Sequence, residues 1–516
     1  MTDNHNGKFK FLIRGTEIAL FNFFVTAVLG LIVPPMVGKY LGADDFATWV
    51  TAGNLVLWYA LLDMGMIAGV SRFFTKAISG GRDDECLVHA NTSLVMLSGI
   101  SMIVIPVSWV LAWILPFFFN NVGNLVTFRI VIVISGLNMA ITFPMKGLTG
   151  LIIGAMRTDL LGMFNLVSKI VISGLTVIIL LTNGGVIALA VMMLLVSLLQ
   201  VAILVMILRK VYPQIRFSLT LFRKSHLRTL FHFSFFAMLA QFGYMGINSI
   251  WQFVIPTFIE FRLVSHFWYA NTLNENFMNI TLATSNWFDT WLTHLHTIGE
   301  REQMRKFMLV GYKFCIYSGV FIYFGFLFFA KAFITRWVEP QFHDAFVPTL
   351  FLGGVSLIYA IQTPNIRLFY ATAKHQAYAF SNIAEGVLNL ILSITLGIRY
   401  GINGVAAASL ISCFFPKMVF VPYCACRLLN WNLLYYYGTI FTIVLRAVVA
   451  LIPSMWLASR FVQPNYFSIF GMAFVCLLAY LPCLAVVGLS ADERGYFWSN
   501  IKRFLRLETG GRRPEA

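Results

Sequence analysis

Asn271, Glu275 and Asn279 recur at i, i+4 and i+8, so any helix that carries them presents all three on one face. Asn274, Asn276, Thr281, Thr284, Ser285, Asn286 and Asp289 stand beside them. In an apolar chain such a face has two readings. One is hydrogen bonding between helices, where a pair averages only about 0.6 kcal/mol. The other is the wall of a polar cavity, which accounts more economically for so many groups. Fixed cations complete the inventory: Lys169 lies deep in an apolar run, while Lys146, Arg72, Arg157 and Arg367 fall near the ends of such runs, where snorkelling to the interface is the ordinary explanation. The acids Glu17, Asp63, Glu275 and Glu385 are the candidates for proton or sodium coupling, because an intramembrane carboxylate is retained only at a cost. None of them has a diagnostic spacing.

The elements that must position these groups are membrane spans. About fourteen apolar stretches of roughly twenty residues, each long enough to cross a bilayer, follow one another with short connections. They are placed at about 15–37, 47–70, 92–115, 128–150, 160–181, 185–208, 232–255, 264–290, 309–330, 345–366, 376–397, 402–424, 438–459 and 466–488, the eighth being the most polar. A hydrophobic share of 59%, a charged share of 11% and a mean hydropathy of +0.79 are far from soluble-domain values. Runs of this length are helices rather than barrel strands, so the fold expected is an all-α polytopic bundle. By this segmentation about 28 of the 37 Lys+Arg fall on one side, about seven on the other, and Lys169 and Arg446 within spans. Cations are retained on the cytoplasmic side, which places both termini there. The densest clusters are Arg209, Lys210, Arg216, Arg223, Lys224 and Arg228, and Arg494, Lys502, Arg503, Arg506, Arg512 and Arg513. This bias, with attraction to anionic headgroups, explains the net charge of +16 without a nucleic-acid partner. The run after Lys8, Lys10 and Arg14 carries Glu17 and continues through Pro34 and Pro35, so it reads as an uncleaved span.

Lys169 lies about nine residues, hence roughly 13 Å, into the fifth span. Its readings are a pair with Glu385 or Asp63, or a countercharge for an anionic cargo. The seven cysteines show no metal-ligand spacing and read as small apolar packers; no metal or cofactor is expected. No GxxxxGK[ST] occurs, so ATP hydrolysis by this chain is not the expected driving force.

The chain repeats itself at an offset of 220 residues: Ile141-x-x-Pro144 with Lys146 recurs as Ile361-x-x-Pro364 with Arg367, and Asn183-Gly184-x3-Ala188 as Asn403-Gly404-x3-Ala408. The Asn-Gly pairs are read as hairpin turns that tolerate positive φ. Six spans per repeat give two lobes of the same orientation, related by a pseudo-two-fold axis along the membrane normal. The expected organisation is an N-lobe at 1–210, a C-lobe at 211–430 with a basic linker at 209–230, two appended spans at 431–490 and a basic tail at 491–516.

Tyr40-Leu41-Gly42-x4-Ala47-x-Trp49, Leu62-x2-Gly65-x6-Arg72, Gly150-x3-Gly154-x2-Arg157 and Tyr400-Gly401-x2-Gly404-Val405-Ala406-Ala407-Ala408 carry a resemblance over nearly the whole chain. The chain resembles the polysaccharide-transporter branch, the lipid-linked O-antigen flippases, of the multidrug, oligosaccharidyl-lipid and polysaccharide exporter superfamily. That resemblance implies a transporter rather than an enzyme, moving a polyprenyl-diphosphate-linked oligosaccharide to the outer leaflet of a bacterial inner membrane by alternating access. It also implies a glycan polymerase and a chain-length regulator as partners beside membrane lipids. Burying each sugar hydroxyl without a partner costs about 2–7 kcal/mol, so such a cargo needs a polar path and cations to meet its diphosphate. Lys169, Lys146, Arg72, Arg157, Arg367, Asn271, Asn274, Glu275 and Asn279 are the residues that fit that path. A cation-coupled multidrug exporter of the same superfamily is the alternative, and a membrane glycosyltransferase, polymerase or ligase a more distant one, since the longest outer loop, about 331–344, is too short to fold alone. Trp49, Trp58, Trp268, Tyr269, Trp287, Trp291 and Trp337 are read as an interfacial belt or as stacking partners for sugars. Pro34-Pro35 should bend the first span, and that bend is a candidate part of the outward gate.

Overall fold

The computed structural model describes residues 3–59, 62, 66–216, 218, 221–223, 245–285, 287–372 and 374–488. Outside the described residues lie Asp63, Asn286, most of the seventh span, part of the basic linker and the 491–516 tail, together with the side chains of Glu17, Thr284, Trp287 and Asp289. Among the described residues there is no strand, and nine helical stretches are long and apolar enough to cross a membrane. The chain is an all-α, multi-pass membrane protein.

Its helices are α1 (Asp3–Tyr59), α2 (Met66–Ser79), α3 (Asp83–Phe118), α4 (Leu125–Gly154), α5 (Thr158–Leu181), α6 (Gly185–Val211), α7 (Trp251–Phe258), α8 (Leu263–Ser285), α9 (Trp287–Thr297), α10 (Arg301–Trp337), α11 (Phe346–Ala371), α12 (His375–Phe415), α13 (Val421–Leu429), α14 (Leu433–Ser459) and α15 (Tyr466–Val487). A 3₁₀ turn (Pro340–Ala345) precedes α11, and a π turn (Pro416–Phe420) joins α12 to α13. The apolar stretch 376–429 is 54 residues long, about 80 Å if straight and far beyond the hydrocarbon thickness, so it must turn back. It breaks at Gly401, with φ 59° and ψ −144°. In α1 the break is Gly42, with φ 71° and ψ 178°, which divides the first span from the second.

One expectation is corrected here: the repeated Asn-Gly pairs do not turn alike. Asn183 has φ 55° and Gly185 φ 71°, as a turn requires, but the second copy turns at Gly401 and leaves Asn403-Gly404 helical. Gly404 serves close packing instead: a Cβ there would stand 2.0 Å from the Leu396 carbonyl oxygen.

The described chain divides into two compact units. The first holds Met1–Tyr269, Trp337–Asp344 and Asn382–Ser409; the second holds Ala270–Arg336, Ala345–Ser381 and Leu410–Ala516. In the first, the buried side of α3 runs Ala90, Ser93, Leu97, Ser101, Val104, Ser108, Ala112 and Leu115, spaced three and four apart and dominated by small residues. With no hydrophobic force between helices in lipid, small residues that let backbones approach are the usual means of association. A Cβ on Gly136 of α4 would fall 2.1 Å from Ser108 Oγ. Trp109, Trp113 and Phe117 lie exposed on the other side of α3, the arrangement lipid asks for. The Gly150-x3-Gly154 motif is explained in the same way, because Cβ atoms there would meet the Ile67 and Ser71 carbonyls of α2 at 3.1 and 2.9 Å.

In the second unit, α14 and α15 pack with α10 around one buried apolar cluster that includes Tyr312, Ile316, Ile440, Ile443, Cys476 and Tyr480. Tyr480 donates to the Tyr317 carbonyl at 3.2 Å, and Tyr317 to the Gly488 carbonyl at 3.0 Å. Of the seven free cysteines five are buried, which suits their reading as packers.

Candidate functional site

The polar face of α8 lies within the second unit, and it is divided. Asn271 and Asn274 are buried, whereas Glu275 and Asn279 are exposed. Asn271 Nδ2 donates to Glu275 Oε1 at 2.8 Å across one helical turn, and Ser356 of α11 donates to the Asn274 side-chain oxygen. Asn276 and Thr281 bond back to the carbonyls of Thr272 and Phe277, at 2.8 and 3.1 Å. Part of this polar set therefore holds helices in place. Glu275 and Asn279 are the members presented at the surface.

Each cation of the sequence reading has a defined setting. Lys169 is half-buried, and Nζ donates to the Thr26 hydroxyl at 2.6 Å. The structure thus gives it a neutral partner in place of the Glu385 carboxylate, although both residues belong to the first unit. A hydroxyl supplies no countercharge to the ammonium, and Asp63, the other expected partner, lies outside the described residues. Arg157 caps α5 beside Asp159, with two bonds at 3.0 and 3.1 Å. The buried Asp159 carboxylate thus has its countercharge two residues away on the same helix end. Lys146 is half-buried with Nζ 5.3 Å from the centre of the Phe143 ring. Arg367 Nη2 donates to Ser285 Oγ at 3.2 Å, so it stands at the end of the polar helix α8. Arg72 is exposed on α2. Glu385 is fully buried on α12.

Sequence reasoning missed Lys417. It falls inside the twelfth span, 402–424, where it was not singled out, and it is fully buried in the second unit. Nζ donates to Ser381 Oγ at 2.9 Å and stands 4.7 and 5.2 Å from the Tyr378 and Tyr359 ring centres, within cation–π range. It sits in the π turn, an irregularity found disproportionately at functional positions. The available signal was Pro416 before it and apolar residues on both sides, a poor setting for a snorkelling lysine.

A second missed feature is a buried amide–phenol network. Asn365 Nδ2 donates to Gln362 Oε1 at 2.8 Å and to the Tyr436 hydroxyl at 3.1 Å, Gln362 Nε2 donates to the same hydroxyl at 3.3 Å, and Tyr312 donates to Asn365 Oδ1. The neighbouring Tyr437 hydroxyl donates to the Met418 carbonyl of the π turn at 2.6 Å. The network joins α10, α11 and α14. It also gives a structural role to the Ile361-x-x-Pro364 repeat, since Gln362 and Asn365 flank the proline.

The aromatic reading is corrected for two residues: Tyr269 and Trp337 are 1% and 2% exposed and are not interfacial. Trp58 donates to Gln252 at 3.3 Å, while Trp291 is exposed.

The fold has solved counterparts. A structure of the lipid II flippase MurJ in an inward closed conformation superposes with a TM-score of 0.71 at 14% identity, covering 92% of this chain and 98% of that one. An inward-facing multidrug resistance MATE family transporter of the MOP superfamily gives 0.62 at 13% identity over 78% and 98%, and a eukaryotic MATE transporter 0.57 at 13% over 86% and 100%. No protein-family model matches the sequence, and no curated protein matches it. The chain therefore has the fold seen in MurJ and in MATE transporters of the MOP superfamily.

Proposed function

We propose that this protein is a flippase that carries a polyprenyl-diphosphate-linked oligosaccharide, an O-antigen or exopolysaccharide repeat unit, from the cytoplasmic to the outer leaflet of a bacterial inner membrane by alternating access. The observation that carries the proposal is the likeness to the lipid II flippase fold, which extends over 92% of the chain. The cited MATE structures leave more of the chain uncovered, 78% and 86% being matched, and their likeness is lower. A multidrug exporter is the second reading on that ground.

In this proposal the two lobes are 1–210 and 211–430, 431–490 is appended, and both termini and the 491–516 tail are cytoplasmic. Glu275 and Asn279 wet the sugar path, Lys169 is a countercharge for the diphosphate, and the prenyl tail stays in lipid. An inside-negative potential favours outward movement of the cargo's negative charge by about 2.3 kcal/mol per elementary charge per 100 mV. Glu17, Asp63, Glu275 and Glu385 are the residues at which a counter-ion would act. A glycan polymerase and a chain-length regulator are the proposed downstream partners.

The test is deletion of the gene followed by mass spectrometry of polyprenyl-linked intermediates and by detection of surface glycan. Accumulated complete units with loss of surface glycan support the proposal, and failure of Lys169→Ala to restore export places that cation in the path. An unchanged lipid-linked pool and surface glycan overturn it and favour drug export.

A further inference from the structure

The basic linker after α6 is fastened to α3 by buried side chains that bond its backbone. Asn91 of α3 is 3% exposed, and its amide makes both kinds of bond: Nδ2 donates to the Arg216 carbonyl at 2.7 Å, and Oδ1 accepts from the Ser218 N–H at 2.7 Å. Beside it Thr92, fully buried, accepts the Arg223 N–H on Oγ1 at 3.3 Å. The Tyr212 hydroxyl donates to Asp83 Oδ1 at 2.6 Å, its ring meets Phe74 edge-on, and Ile215 is buried in the apolar cluster of Val70, Phe74, Leu204 and Leu208. All these residues belong to the first unit. A buried amide loses free energy if its donor or acceptor is stranded, so Asn91 favours one placement of the linker over any that breaks these bonds. Arg216 and Arg223 are seven residues apart in the chain, yet their backbones are tied to adjacent residues of α3, and both are exposed.

The tie also sets their depth. α3 begins at Asp83 and its apolar stretch at residue 92, so the clamp stands about 12 Å along the helix, where it passes from polar surroundings into hydrocarbon. That is the level of lipid headgroups. The acids at the start of α3 are otherwise placed: Asp83 accepts from Tyr212, Glu85 pairs with Arg82 at 2.9 Å, and Asp84 lies about 10 Å from Asn91 along the helix. We propose that Arg216 and Arg223, held by Asn91 and Thr92, form a binding site for the phosphate of an anionic phospholipid headgroup, in the leaflet that the proposed function makes cytoplasmic. Guanidinium groups match phosphate oxygens bidentately, and cations beside a span are drawn to anionic lipid. A resident phospholipid is the occupant because the two arginines are exposed at headgroup level, whereas Lys169, the countercharge assigned to the cargo, is half-buried within a span. General attraction of a basic loop to such lipid needs charge alone. This site needs the clamp, so it is lost when an uncharged residue is removed. The inference rests on the proposed function only for the leaflet.

The experiment counts lipid bound to the purified full-length protein in detergent by native mass spectrometry, with phosphatidylglycerol, phosphatidylcholine and undecaprenyl diphosphate as probes. The unaltered protein should retain phosphatidylglycerol over phosphatidylcholine, and the double variant Arg216→Gln, Arg223→Gln should lower that retention roughly tenfold. Asn91→Leu, which removes no charge, should lower it about threefold or more by freeing the linker. Lys374→Gln, which removes an exposed cation of the second unit, should leave it unchanged. Thr92→Val deletes only the acceptor of the Arg223 N–H and takes the place of Asn91→Leu where that variant is not monodisperse. Full retention by the double arginine variant would overturn the site. Full retention by monodisperse Asn91→Leu or Thr92→Val protein would overturn it as well, since charge alone would then suffice. Retention of undecaprenyl diphosphate in place of phosphatidylglycerol, lost in the same variants, would overturn the choice of a phospholipid and give the site to the cargo. Because no transport is measured, a failed headgroup site and a failed flippase reading give separate results.

Discussion

Removing one oxygen from the Tyr436 side chain tests the amide–phenol network directly. That hydroxyl accepts from Asn365 Nδ2 at 3.1 Å and Gln362 Nε2 at 3.3 Å. In Tyr436→Phe the Asn365 amide keeps Gln362 Oε1 at 2.8 Å, but Gln362 Nε2 is left with the Met418 sulfur at 3.6 Å, a weak acceptor. Gln362 is fully buried, so no water replaces the loss. Stranding one buried neutral donor costs about 1–3 kcal/mol, above the ~0.6 kcal/mol average of an intramembrane hydrogen bond. Reversible unfolding in mixed detergent–SDS micelles should show that loss for Tyr436→Phe. The double variant Tyr436→Phe, Gln362→Leu removes the stranded amide along with the phenol, so its cost should fall short of the sum of the single costs by roughly 0.5 kcal/mol or more. A single-variant cost near zero, or strict additivity, would refute the reasoning.

Three further outcomes are expected. Gly154→Leu should abolish accumulation of folded protein, because its side chain would enter the α2 backbone, whereas Gly174→Leu, where a Cβ meets nothing within 4 Å, should accumulate normally; membrane fractionation reads both. Asp159→Asn should lower the melting temperature by removing the two-bond pair with Arg157, and added salt should narrow the difference because the Arg157 side chain is 35% exposed. Finally, Asn279→Ala and Glu275→Gln should lower surface glycan at unchanged protein level; full export by both variants would reject the polar-path reading of α8.

The bundle was legible because lipid imposes one rule along the whole chain: apolar runs of about twenty residues become helices. Polar spacing likewise marked Asn271, Glu275 and Asn279 as one helix face, with Asn274 nearby. What meets the Pro34-Pro35 segment was not legible, since Trp337 reaches Leu31 from 306 residues away and Tyr269 reaches Pro34 from 235. Thr26, the partner of Lys169, is 143 residues distant and carries no charge to advertise it. Charged residues suggested charged partners, and here two hydroxyls and two phenol rings stand against Lys169 and Lys417. Glycine motifs were visible, but their purpose was not: Gly150 and Gly154 fit the α2 backbone, a fact of shape rather than of composition.

The network around Tyr436 bears on how freely this architecture can be trimmed. Helices α14 and α15 come last in the chain and read as additions to a twelve-span core, yet α14 supplies the hydroxyl on which two buried amides of α11 depend, and α15 is tied to α10 through Tyr480 and Tyr317. A descendant shortened to twelve spans would open those amides to hydrocarbon, so the loss of the two helices would have to be preceded by replacement of Gln362 and Asn365 with apolar residues. The last two helices are thus bound into the bundle they follow, and the order in which it could be shortened is written in two side chains flanking Pro364.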